Sequence, residues 1–137
     1  MDRVRGGMAK FDKKRFVTFL RENVSPQQFG EGPCARFVRL ALADAWLVPA
    51  SHPVSAKDWG PTLVSLGFAE LAPGDTDYQL GDVAVIQRTS ESKDGHIQGY
   101  DSAARQWISD FVQKRDFWPG PPFRNEKPAF AVYRRSD

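Results

Sequence analysis

The 137-residue chain predicts an α+β domain, and three observations carry that reading. Apolar residues recur at helical spacing through the first half. Beyond Gly67 the spacing changes to the alternation of strands, and glycine and proline clusters punctuate both halves. Helices first and strands second predict N-terminal helices packed on one face of an antiparallel sheet.

The first helix is expected over Lys10–Arg21, where Phe16, Phe19 and Leu20 repeat with Phe11 and Val17 nearby, and it should end around Asn23 to Pro26. A glycine-rich stretch, Gln27 to Pro33, leads into a clearer second helix. There Cys34, Phe37, Val38, Ala41, Leu42 and Ala45 form one apolar stripe. Pro33 is tolerated in a first turn, where its missing N–H would have had no intrahelical partner. Pro49 to Pro53 reads as a loop, and Lys57–Leu66 as a short helix stopped by Gly67. Val83–Gln87, Gly95–Tyr100, Gln106–Val112 and Ala129–Arg134 are the expected strands, with Asp101–Arg105 as a hairpin loop. Phe117–Pro128, with its four prolines, reads as irregular surface chain.

Composition limits the classes. With 41% hydrophobic residues, 10 Phe and 4 Trp, the chain can build a core without disulfides or a structural metal. Residues 10–137 are expected to form a single domain, with 1–9 as a flexible N-terminal extension. Nineteen basic and seventeen acidic residues are interleaved for a net charge of +2, so no nucleic-acid partner is expected. No apolar stretch matches a cleavable secretory signal or a membrane span, so synthesis in the cytoplasm and no membrane insertion are expected. One cysteine and two well-separated histidines lack metal-ligand spacing, and Gly30-Glu31-Gly32 lacks the lysine of a phosphate-binding loop. Neither a metal nor a cofactor is expected.

The residues that carry chemistry are few. A thiol at a helix start gains from the free N–H groups and positive dipole end there, and a histidine can take its proton. Cys34 occupies such a start, on the buried side, where burial opposes the dipole. Of the two histidines, His52 lies between prolines, whereas His96 opens a strand after Gly95. A hairpin closed around Ala103 sets His96 opposite Asp110, which could then orient the imidazole, while Ser109 faces away. A one-residue slip would exchange Asp110 and Ser109. Taken singly, a lone cysteine on an apolar helix face is usually a small core hydrophobe. The conjunction of the three residues favours catalysis.

Gly32-Pro33-Cys34-Ala35-Arg36-Phe37-Val38-Arg39, Gly81-Asp82-Val83-Ala84-Val85-Ile86, Gly95-His96-Ile97 and Trp107-Ile108-Ser109-Asp110-Phe111 follow one another in an order that resembles the NlpC/P60 and CHAP superfamily. These are papain-like cysteine amidases and endopeptidases of bacterial cell walls. The short chain looks most like the small amidase effectors that type VI secretion systems inject into rival bacteria. The resemblance spans about residues 28–134. It implies a papain-like fold and cleavage of an amide in the peptide stem or cross-link of peptidoglycan through an acyl-enzyme. It further implies Cys34 as nucleophile, His96 as base, and Asp110 at the position of a polar third member. A cognate immunity protein and export to the periplasm of a target bacterium belong to the same expectation; a monomer is expected separately.

For the oxyanion, the backbone N–H of Cys34 is the natural donor. Gln28, six residues earlier, has the spacing of papain's oxyanion glutamine. Wall amidases do not generally share it, and a surface-loop role is its ordinary reading. Asp82 reads as a turn residue. Trp59, Tyr100, Trp107 and Trp118 could line a substrate groove, with core packing expected for Trp59 and Trp107 and exposure for Trp118. Two other readings stay open: a protein deamidase or acyltransferase using the same cysteine and histidine, and a catalytically silent binding domain.

Overall fold

The computed structural model describes residues 10–25, 34–114 and 116–137. Helix α1 spans Lys13–Glu22, one turn later than Lys10, because Asp12 caps it by accepting from the Arg15 N–H at 3.0 Å. Its stripe of Phe16, Val17 and Leu20 is buried. Helix α2 spans Cys34–Asp44 and buries Ala35, Val38, Ala41 and Leu42. Burying a Leu, Val or Phe side chain contributes about 1.5–3 kcal/mol, so these two stripes fasten the helices to the sheet. The expected third helix is split. A 3-10 turn, Ala56–Asp58, precedes α3, Gly60–Ser65, with Pro61 in its first turn.

Six strands follow: β1 Ala69–Glu70, β2 Val83–Ile86, β3 His96–Asp101, β4 Gln106–Ile108, β5 Val112–Gln113 and β6 Phe130–Arg134. They form one antiparallel sheet in the order β1-β6-β2-β3-β4-β5. The α+β expectation therefore holds, with the N-terminal helices α1 and α2 on one face. On that face Val83, Val85, Ile97 and Ile108 join α1 and α2 in the main core. Gly99 of β3 lets α1 approach closely, since a Cβ there would lie 2.6 Å from the Phe16 ring. On the other face Ala84, Trp107 and Val132 pack with Tyr78, Tyr100 and Phe117.

Two expectations about the chain after β3 are corrected. The hairpin pairs Gly99 with Ile108, Tyr100 with Trp107 and Asp101 with Gln106, one residue away from the register expected around Ala103. Asp101 belongs to the strand, and its carboxylate accepts from Ala103 N–H and from the Arg21 Nε–H. Arg21 also donates to Gln106 Oε1 at 2.6 Å, so one guanidinium clamps the two strands together where they enter the turn. The segment Gln106–Val112 is not one strand either. It turns back on itself at residues 109–111, where Ile108 pairs with Val112 and Trp107 with Gln113.

The third correction lies in the proline-rich stretch. It contains helix α4, Pro121–Glu126, whose two prolines occupy the first positions, where no intrahelical N–H partner is needed. Lys127, in the left-handed region at φ 47°, ends it. Asp82 is fully buried. It accepts from Gln79 N–H and pairs through both oxygens with Arg134, which ties β2 to β6 and confirms a structural role at this turn.

Candidate active site

Gly95 sets the start of β3. Its φ of +69° favours glycine, and a Cβ there would run into the Ile86 carbonyl. The chain thereby delivers His96 at the end of the strand beside the N-terminus of α2. Here β4 no longer pairs with β3, whose partner register begins at Gly99. Into this open corner comes Cys34, the first residue of α2. Cys34 and His96 line one cavity of about 580 Å³, together with Asp110, Phe111, Gly95 and Phe123. The prolines of residues 119–122 form part of the same lining.

The imidazole is buried and flanked by Phe111 and Phe123, at ring-centroid distances of 6.2 and 5.9 Å. Its Nε2 lies 3.2 Å from Gln113 Oε1. The amide of Gln113 is oriented by its own Nε2, which donates to the carbonyls of Phe117 at 2.9 Å and Asp116 at 3.3 Å. The oxygen facing the imidazole can only accept, so His96 Nε2 carries the proton and Nδ1 keeps its lone pair. Pairing geometry explains why Gln113 is here. Trp107 pairs with Tyr100 on one side and Gln113 on the other, so Gln113 shares a face with Tyr100, Gln98 and His96. The histidine's hydrogen-bond partner is thus Gln113, not Asp110.

Asp110 still lines the cavity, from the β4–β5 turn. Its carboxylate accepts from Ser109 Oγ at 3.2 Å, and its carbonyl accepts from the Ser25 N–H at 2.6 Å. Its negative charge raises the pKa of both Cys34 and His96, but in each it is outweighed or exceeded by burial.

Burial pushes the Cys34 thiol up to about 11, against lowering hydrogen bonds from the backbone of Ile97, Ala35 and Cys34 itself. Burial likewise pulls His96 down to about 4, against Asp110 and the side chains of Gln113 and Gln98, which favour the charged form. Between dipole and burial, burial wins. At neutral pH the resting pair is a neutral thiol beside a neutral imidazole with Nδ1 unprotonated, which suits proton transfer during attack.

Gln28 lies outside the described residues. Trp118 is half-buried against Phe117 and Phe130 and is not part of the cavity lining. Trp59 and Trp107 are buried, as expected for core residues, and Tyr100 packs on Trp107 at 4.8 Å. Among the described residues no cluster of His, Cys, Asp and Glu could hold a metal, and no helix is long and apolar enough to cross a membrane.

No family model matches the sequence, and no curated protein matches it. Two solved structures do. A chain of the native type VI effector–immunity complex Tae3–Tai3 from Ralstonia pickettii is 34% identical, with a TM-score of 0.80 over 91% of this chain and 99% of that one. A chain of the selenomethionine form of the complex is 36% identical, with a TM-score of 0.77 over 87% and 98%. The chain belongs to the same protein family as the matched member of this type VI effector–immunity pair.

Proposed function

We propose that this chain is the effector of such a pair, a cysteine amidase that cuts an amide bond in the peptide stem or cross-link of bacterial peptidoglycan. The observation that carries the reading is the convergence of Cys34 and His96 on one cavity, with Gln113 holding the far ring nitrogen. An immunity protein has no need of an oriented base beside a thiol. An effector that breaks a covalent bond does.

In this reading Cys34 Sγ attacks the scissile carbonyl while its proton passes to His96 Nδ1. The imidazolium that forms donates through Nε2 to Gln113. Backbone N–H groups at the start of α2, those of Cys34 and Ala35, lie beside the sulfur and are suited to receive the oxyanion. Collapse of the tetrahedral intermediate expels the amine, which takes the proton from His96 and leaves a thioester on Cys34. Water, deprotonated by His96, then attacks the thioester carbonyl; the C–S bond breaks, the Cys34 sulfur takes the proton back from the imidazolium, and the new carboxyl product departs. The proposed site of action is the periplasm of a target bacterium, with a cognate immunity protein guarding the producer, and no cofactor takes part.

Mass spectrometry of purified peptidoglycan after digestion tests this. New amino and carboxyl termini within the peptides, with intact glycan strands, are expected. Unchanged muropeptides would count against the reading, and a glutamine side chain converted to glutamate in a protein substrate would favour the deamidase alternative.

The role of Gln113 is tested beside it. Gln113→Leu is expected to lower kcat by about a hundredfold, the loss of an orienting hydrogen bond to the base. Asp110→Asn should cost about tenfold or less, since it removes a nearby charge and leaves the Nε2 partner in place. The reverse ranking, read from initial rates of fragment release, would return the third position to Asp110.

A further inference from the structure

Gln98 is fully buried in β3, two residues after His96 on the same face, and its side chain has one polar atom too many. Its Nε2 donates to the Phe117 carbonyl at 2.9 Å. Its Oε1 has no hydrogen-bond partner. A buried, unsatisfied amide oxygen is costly, and such an atom beside a reactive group calls for an explanation. Gln113 uses the same Phe117 carbonyl, also at 2.9 Å, and turns its own Oε1 to the imidazole. One backbone carbonyl therefore orients two glutamine amides whose oxygens share the face of His96. Room for the arrangement comes from Ala84, the small residue paired with Gln98 on β2.

We infer that Gln98 is a second positioning residue for His96, its idle Oε1 held ready to accept from the imidazole Nε2–H as positive charge develops on the ring. This rests on the reading of Cys34 and His96 as nucleophile and base. In the resting state the single Nε2–H is directed at Gln113. During attack the ring gains a proton at Nδ1, and Nε2–H becomes a charge-assisted donor able to share itself between two carbonyl dipoles. The amide oxygen would thus be idle in the ground state and engaged in the transition state, the condition under which an interaction raises kcat. The Gln98 side chain already lies close enough to His96 to favour its charged form as a hydrogen-bond acceptor does, although its Oε1 makes no hydrogen bond of good geometry in the resting state. The other titratable group acting on the ring is Asp110, with Cys34 and Asp94 also lining the cavity.

A purely tethering role, in which Gln98 only anchors Phe117, must be distinguished. Gln98→Met and Gln98→Glu both remove the amide donor to Phe117, but they place opposite electrostatics beside the ring. The first leaves no acceptor, and the second adds an anion. NMR titration of the imidazoles reads His96 directly, because the chain has only two histidines and a His52→Asn variant assigns them. The His96 midpoint is expected to move down in Gln98→Met and up in Gln98→Glu. For Gln98→Met, kcat for fragment release should also fall on the order of tenfold with KM unchanged. Shifts of the same sign in both variants, or none, would overturn the inference. If Gln98→Met does not fold, the upward shift in Gln98→Glu decides alone. Because the titration needs no substrate, failure here is distinct from failure of the amidase reading, which would appear as wild-type protein that releases no fragments.

Discussion

Replacing His96 by glutamine is expected to lower the rate of fragment release by about a thousandfold or more. The resting thiol, held at about 11 by burial, has almost no thiolate to offer at neutral pH, so the proposed attack depends on a base within the same cavity. A glutamine there cannot take the proton. The same substitution has a second, independent signature in stability. His96 titrates near 4 in the fold against an ordinary value of 6.5. As pH falls through 6.5 the unfolded chain gains a proton that the folded chain refuses, so stability is lost progressively until about 4. The full loss is about 3 kcal/mol, counted at 1.36 kcal/mol per unit of pKa difference. Urea unfolding at pH 7 and pH 5 should therefore show a steeper decline for the wild type than for His96→Gln. Equal slopes would mean that the imidazole is neither buried nor neutral in the folded protein. The choice of pH 5 keeps the comparison above most carboxylate titration.

Cys34→Ala is expected to reduce the rate by about 10⁴-fold or more, because the proposed acyl intermediate forms on the Cys34 sulfur and no other thiol exists in the chain. Ser92, the only hydroxyl of the lining among the described residues, sits in the loop before Gly95, where its Oγ donates to the Gly95 carbonyl at 3.4 Å. The fold should survive. Cys34 is half-buried at the edge of the core rather than at its centre, alanine favours a helix, and the change removes one sulfur atom. A thermal midpoint close to wild type, measured by circular dichroism, would show that lost activity is not lost structure.

Much of the framework was legible because it obeys simple periods. The stripe through Val38, Ala41, Leu42 and Ala45 is the core face of α2, and alternation located β2, β3 and β6 near their observed bounds. Cys34 and His96 stood out because reactive side chains are scarce in this sequence, and both line the cavity. Gln113 was hidden for a physical reason. Its place depends on where the chain after β4 turns back, and nothing in Ser109-Asp110-Phe111 announces that turn as glycine or proline would. A usable signal existed in the aromatic pair. Aligning Tyr100 with Trp107 as cross-strand neighbours gives the observed register and takes Asp110 away from the position opposite His96. Helix α4 was masked by the very prolines that begin it. Gln98 looked like an ordinary strand residue. Only the count of its hydrogen bonds sets it apart.

The most direct test of the account incubates wild-type protein and Cys34→Ala side by side with purified peptidoglycan and measures released peptides by mass spectrometry over time. Steady release of fragments with newly freed peptide termini is expected from the wild type, and none above the no-enzyme control from Cys34→Ala. Release by the folded Cys34→Ala protein at the wild-type rate would contradict the account.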